Sequence, residues 1–203
     1  SKPLLPPIKG LSEQLTAPNR KVFSIFDIME NFEQFTDIPN KRIVVIGGGA
    51  VGLDVVEYFS ESKAKDVSIV EMQSVIGKDL DIIGRISMMT MMKENKVNQL
   101  VDTTLLEVKE NSFLVKDKEG KQSELPFDYG FVCLGMTPEN SFSNTIEQHA
   151  AEKGYTFEKI GDSRAARKLI EGMREGRDII ASIQRIERVK AGEVRGVSPV
   201  SPV

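Results

Sequence analysis

The chain has 203 residues, 40% apolar and 28% charged, with a formal net charge of −3, one histidine and one cysteine. That length holds one large domain or one and a half smaller ones, and the apolar fraction suits an ordinary globular core. The slight negative charge argues against a general nucleic-acid binder. A lone Cys133 excludes an internal disulfide and any cysteine-ligated cluster made by this chain alone. No stretch approaches the ~18 apolar residues of a membrane span and no secretory signal is visible, so the expectation is a cytoplasmic protein without membrane contact.

In chain order, Ser1–Gly10 is proline-rich and extended, and Val22, Ile25, Phe26 and Met29 predict a short helix over Val22–Phe32. Pro39-Asn40-Lys41 leads into an apolar, β-branched strand, Arg42–Ile46, and Gly47-Gly48-Gly49-Ala50-Val51-Gly52 follows at once. Gly52, Val55, Val56 and Phe59 then recur at helical spacing. A second apolar run, Val67–Val70, ends on Glu71, nineteen residues after Gly52. A bare G-x-G-x-x-G says little. After a strand, at the head of a helix and followed by an acid about 20 residues on, it describes a complete dinucleotide-binding unit.

Each residue type there has a physical reason. Gly47 permits a sharp turn out of the strand, Gly49 lets the backbone approach a pyrophosphate, and Gly52 lets the helix pack tightly on the strand. Ala50 and Val51 lie in the first turn, whose unpaired N–H groups and partial positive charge suit phosphates. Glu71 can accept from an adenosine ribose and would repel a 2′-phosphate, and Met72 rather than an arginine follows it. The reading is NAD(H), not NADP(H). The competing reading is a glycine-rich turn that binds nothing, and the context weighs against it.

Beyond Glu71, a loop with Gly77 precedes a helix near Leu80–Asn95, with Ile82, Ile86 and Met89 on one side and four methionines within Met88–Met92. A core face is the commoner reason for such a Met cluster, an adaptable interface the rarer one. Val97–Val101 reads as a third strand. Thr104–Lys109, Ser112–Asp117 and Gln122–Leu125 read as an antiparallel meander with a turn at Lys118–Lys121. Tyr129–Leu134 returns as a continuous apolar strand stopped by Gly135, and Cys133 within it reads as a buried, inert thiol. After Pro138, Tyr155–Ile160 is expected as a strand, Gly161-Asp162 as a turn and Ser163–Ile186 as a long helix with Ser163 as its N-cap. The stretch from Lys153 onward carries eleven Lys/Arg against seven Asp/Glu, and is read as a solvated helix face. The tail, residues 187–203, is expected to be loosely ordered.

No nucleophile or acid–base set emerges. His149 is expected at the surface, and Asp79 and Asp81 at a helix start, where their charge complements the helix dipole. That absence suits hydride transfer, whose chemistry a cofactor carries.

The chain resembles the pyridine nucleotide–disulfide reductase superfamily. The resemblance rests on Gly47–Asp54, the Val67–Glu71 strand, the three-stranded insertion before Phe131–Pro138, and Ile160-Gly161-Asp162. Val70-Glu71-Met72, Ile76-Gly77-Lys78-Asp79 and Arg164–Ile186 are similar to the C-terminal part of NADH:flavin oxidoreductases of the old yellow enzyme and 2-enoate reductase type. The resemblance implies an α/β fold: a Rossmann-like parallel sheet with a three-stranded antiparallel insertion, plus a partial second, FAD-type domain. Residues 22–137 would be the NAD(H)-binding domain, with 1–21 and 138–186 as remnants of an FAD-binding domain. Gly135 and Asp54 would join Gly47–Gly52 and Glu71 in holding the dinucleotide, while Asp162 would hold the ribityl chain of FAD.

The departures are equally informative. The first G-x-G-x-x-G, the FMN barrel, the iron–sulfur cysteines and any C-x-x-C pair are missing; Asp54 stands where many relatives have Glu, and Ser163 where close relatives often have Cys. The resemblance therefore implies a C-terminal fragment whose partner is the upstream, flavin-bearing part of the same polypeptide, and which alone turns over little. An NADH oxidase or disulfide reductase fragment, and a non-catalytic NAD-binding module, stay open, as does self-association into a homo-oligomer.

Overall fold

A computed structural model describes residues 1–192. By packing, the chain divides into two units, Pro3–Gly135 and a smaller one made of Ser1–Lys2 with the residues from Met136 onward.

The larger unit opens with helix α1 (Leu11–Thr16), which starts from Gly10 at φ 79°. A Cβ at Gly10 would lie 2.0 Å from the Val108 carbonyl oxygen, so only glycine lets the two strands of chain approach so closely. The expected helix over Val22–Phe32 divides. Val22–Phe23 is a strand (β1), and helix α2 covers only Ile25–Glu30. Ser24 and Asp27 form a reciprocal capping box that fixes the helix start, while Val22 and Phe23 pair in parallel with Gly130 and Phe131. Propensity saw one apolar helix face; a long-range strand partner took its first two residues.

The dinucleotide-type unit then follows in order: β2 (Arg42–Ile46), α3 (Ala50–Glu61), β3 (Asp66–Val70), α4 (Ile82–Glu94) and β4 (Asn98–Leu100). Three antiparallel strands come next, β5 (Thr104–Val108), β6 (Ser112–Lys116) and β7 (Gln122–Pro126), before β8 (Tyr129–Val132) returns. Strand order in the parallel sheet is β1-β8-β2-β3-β4, and β5-β6-β7 form a separate antiparallel sheet.

Alternation along β2 divides the core. Ile43 and Val45 face Phe59, Val56 and Phe131 on the helical side; Val44 and Ile46 face Phe113, Phe127 and Leu11 on the other. Both faces of the parallel sheet are covered, which is why its central strand β2 is apolar from Ile43 to Ile46 rather than alternating with polar residues. The antiparallel sheet packs so closely that a Cβ at Gly130 would stand 2.7 Å from the Phe113 ring.

In the smaller unit, α5 (Ser141–Lys153) was not legible in the sequence, and the strand expected over Tyr155–Ile160 is irregular chain with no sheet partner among the described residues. The helix expected from Ser163 to Ile186 begins at Leu169 and runs to Lys190 (α6), after a single 3-10 turn at Gly161–Ser163. Ser163 does not cap it: its hydroxyl donates to the Ile160 carbonyl. The beginning of the expected loose tail, 187–190, is thus helical, and residues 193–203 lie outside the described residues. Among described residues from Met136 onward, only Ala150 is a buried apolar residue, and the 22 residues of α6 include none.

Candidate functional site

The sheet is wound in two directions from β2. The chain moves outward through β3 and β4, then returns on the other side as β8. Where winding reverses, the loops leaving the carboxyl ends of neighbouring strands diverge and leave a crevice. Here those loops are Gly47–Gly49 after β2 and Cys133–Gly135 after β8.

Gly47 has φ 109°, and a Cβ there would lie 2.2 Å from the Cys133 carbonyl oxygen; its own N–H donates to Val70 at 2.8 Å. Gly52 packs its helix onto the turn, since a Cβ would come within 1.9 Å of the Gly47 oxygen. Gly49 differs from both. It is the N-cap of α3, with no side-chain cap, and a Cβ on it would meet nothing within 4 Å. The fold makes no demand for glycine at this position. Gly135, at φ 99°, likewise faces open space on the opposite wall. Behind Gly49, Ala50, Val51 and Gly52 form the first helical turn, where backbone N–H groups have no helical acceptor.

Glu71 closes the far end of this loop. Its carboxylate accepts from Gly48 N–H at 2.7 Å and from Gln73 N–H at 2.7 Å, so both oxygens are oriented by backbone. The Gly48 carbonyl in turn accepts from Gly77 N–H at 2.8 Å. Gln73 and Gly77 (φ 69°) are the positioning residues that sequence reasoning missed. No periodicity connects them to Gly48, although a glycine following Glu71 in a loop was a partial signal. The neighbouring loop is tied in as well, with Thr103 N–H donating to the Glu71 carbonyl at 2.9 Å.

Asp54 is exposed one turn into α3, and partial desolvation raises its carboxyl above the ordinary range. Burial, with a contribution from the Asp54 charge, pushes the Cys133 thiol up to about 12. A thiol so protonated is neither a nucleophile nor a redox partner at neutral pH.

Nine of the ten residues singled out by sequence, Gly47–Gly52, Asp54, Glu71 and Gly135, lie in the larger unit, on α3 or on the loops that leave β2, β3 and β8. Asp162 belongs to the smaller unit. Its carboxylate is held below the usual range by a hydrogen bond with Ser1, with Arg167 N–H also donating. The helix start expected beside it lies seven residues on, at Leu169. What ties the turn to α6 is Glu175, which accepts from Gly161 N–H at 2.7 Å and from Arg164 and Arg167 at 3.2 and 2.5 Å. His149 is exposed on α5, Asp81 caps α4 by accepting from Gly84 N–H, and among the described residues no acidic, His or Cys cluster could hold a metal. No helix among them is long and apolar enough to cross a membrane.

The sequence matches the pyridine nucleotide-disulphide oxidoreductase family over residues 1–157. The chain belongs to that family. It is 30% identical over 176 residues to an NADH oxidase of Thermoanaerobacter brockii, covering 87% of this chain and 26% of that protein. To a bilirubin reductase of Mediterraneibacter gnavus it is 31% identical over 160 residues, covering 78% and 22%. A solved structure of 2-naphthoyl-CoA reductase with 2-naphthoyl-CoA superposes with a TM-score of 0.71 at 24% identity, covering 86% of this chain and 24% of that one. The chain thus spans about a quarter of the length of these relatives. The family is one of pyridine nucleotide-linked oxidoreductases, the two sequence relatives are an NADH oxidase and a reductase, and the fold shared with the solved structure is the mixed α/β architecture described above.

Proposed function

We propose that the larger unit is the NAD(H)-binding portion of a flavin-dependent oxidoreductase. The observation that carries this is the room at Gly49: an uncapped helix N-terminus and a glycine whose absent side chain serves no packing need. The residues present fit a dinucleotide. Gly49, Ala50 and Val51 offer backbone N–H groups to the pyrophosphate, Gly135 lines the facing wall, and Glu71, held by Gly48 and Gln73, accepts from the adenosine ribose. Asp54 sits one turn further in, toward the Cys133 side of the crevice. When bound, NADH would supply a hydride, for which an FAD in the complete protein would be the acceptor. The inert Cys133 fits this reading better than a disulfide reductase in which this chain supplies a redox thiol.

The finer reading is a member of the old yellow enzyme-type NADH:flavin oxidoreductases, in which residues 1–21 and 138–186 belong to an FAD-binding domain completed by upstream chain. The near absence of buried apolar residues among the described residues from Met136 onward supports a piece of a larger core. Residues 1–21 fit less simply, because Leu11 is packed in the same cluster as Val22 and Val44. Asp162 as a ribityl ligand would have to exchange its present partners for the flavin.

The test is calorimetric titration with NADH and NADPH. Glu71→Gln keeps an acceptor for Gly48 but removes the charge, and should narrow the preference for NADH about tenfold, mainly by relieving repulsion of the 2′-phosphate. An unchanged ratio would remove Glu71 from the specificity of the site.

A further inference from the structure

We propose that α4 is a self-association surface, pairing antiparallel with α4 of a second copy of this chain about a two-fold axis. The inference is independent of the cofactor reading.

Helix α4 is apolar on two opposite sides. Its inner side, Met88, Met91 and Met92, packs into the core against α3, with Met92 fully buried. The outer side carries Ile82 (80% exposed), Ile83 (81%), Ile86 (62%) and Met89 (39%). Three of the four methionines thus serve the core, while Met89 joins the isoleucines on the solvent side. An exposed β-branched stripe on an otherwise well-packed unit is the kind of patch that marks an interface.

Two further features choose the occupant. Ile82, Ile86, Met89 and Lys93 are spaced 4-3-4, the spacing of a two-helix seam, so a straight helix is the complementary shape. Charge is graded along the stripe, with Asp79 and Asp81 at its start and Lys93 and Lys96 at its end, while Arg85 and Glu94 lie on the flanks. Laid parallel, two such helices set lysine against lysine. Laid antiparallel, they set each acidic start against a basic end, and their helix dipoles oppose favourably. Ile86 of one copy then meets Met89 of the other, and the aliphatic stem of Lys93 covers Ile82. The stripe is self-complementary under a two-fold rotation, as a closed dimer interface must be.

Sedimentation equilibrium of the whole chain from about 1 to 100 μM, the range in which modest interfaces assemble, decides the matter. A closed monomer–dimer equilibrium is expected, with Ile86→Glu weakening it about tenfold or more while the circular dichroism spectrum and Tm stay unchanged. Should Ile86→Glu fail to fold, the charge exchange suffices: Asp79→Lys and Lys96→Asp each weaken the dimer, and the double variant restores it. A chain that stays monomeric, a dimer indifferent to these changes, or a mass that rises without a plateau overturns the proposal.

Discussion

Gly49 and Gly52 lie three residues apart in one motif and answer to different requirements, which makes them experimentally separable. At Gly52 the fold itself demands glycine, since any Cβ collides with the Gly47 carbonyl oxygen. Gly52→Ala should therefore cost about 2–3 kcal/mol of stability, through the shift of α3 needed to admit the methyl group. Chemical denaturation would read this directly, and a loss below about 0.5 kcal/mol would mean the helix approach is not set by that contact. At Gly49 no such collision exists, so substitution should spare stability and act on the ligand. Glu71 combines both kinds of role under the proposed function: two backbone donors fix its carboxylate, and the proposal makes that carboxylate the ribose acceptor.

Among the elements, the parallel sheet is joined at its amino-terminal edge by a long-range contact. Asp128, just before β8, accepts from Arg42 N–H at 2.8 Å at the start of β2, with the Arg42 guanidinium at 3.3 Å. The backbone hydrogen bond is the main reason that the Asp128 carboxyl is held below its ordinary value of 3.8. A group whose folded pKa is depressed stabilises above the unfolded pKa and loses that contribution as pH falls through the folded one. Asp128 is about one-third exposed, at 34%, so solvent screens the interaction and about 1 kcal/mol is the expected size. Asp128→Asn should lower stability by that amount at pH 7, and the difference from wild type should shrink as pH drops below 3.8. A constant difference from pH 7 to pH 2 would contradict this assignment. Helix α6 is the opposite case, an element with no buried residue. Its amides should exchange with deuterium far faster than those of β2, β3 and β8, reflecting local opening rather than global unfolding. Equal protection would mean that α6 gains stability from a source other than burial.

At the scale of the whole molecule, the parallel core was legible because two patterns overlap there, continuous β-branched runs on doubly covered strands and glycines at fixed offsets. The meander was legible from alternation and from the turn at Gly120, whose φ is 86°. What failed depends on partners distant in sequence. Val22 and Phe23 read as helix until β8 supplies a strand beside them, and Tyr155–Ile160 reads as strand but meets no partner among the described residues. In α4, periodicity groups Ile82, Ile86 and Met89 on one side without saying on which side the core lies, and they face solvent. Of the candidate site, the loop and Glu71 were readable as a motif and Gly135 entered only through the family resemblance, whereas Gln73 and Gly77 act through backbone N–H groups that no side-chain pattern announces.

The most direct test of the central claim, that the crevice between Gly47–Gly49 and Gly135 holds NAD(H), is a titration of wild type and Gly49→Val with NADH. Wild type should bind, and Gly49→Val should lose at least about 100-fold in affinity with Tm unchanged, because its side chain fills space that the fold leaves open and a pyrophosphate needs. Equal binding by the two proteins, or none by a folded wild type at millimolar NADH, would contradict the account.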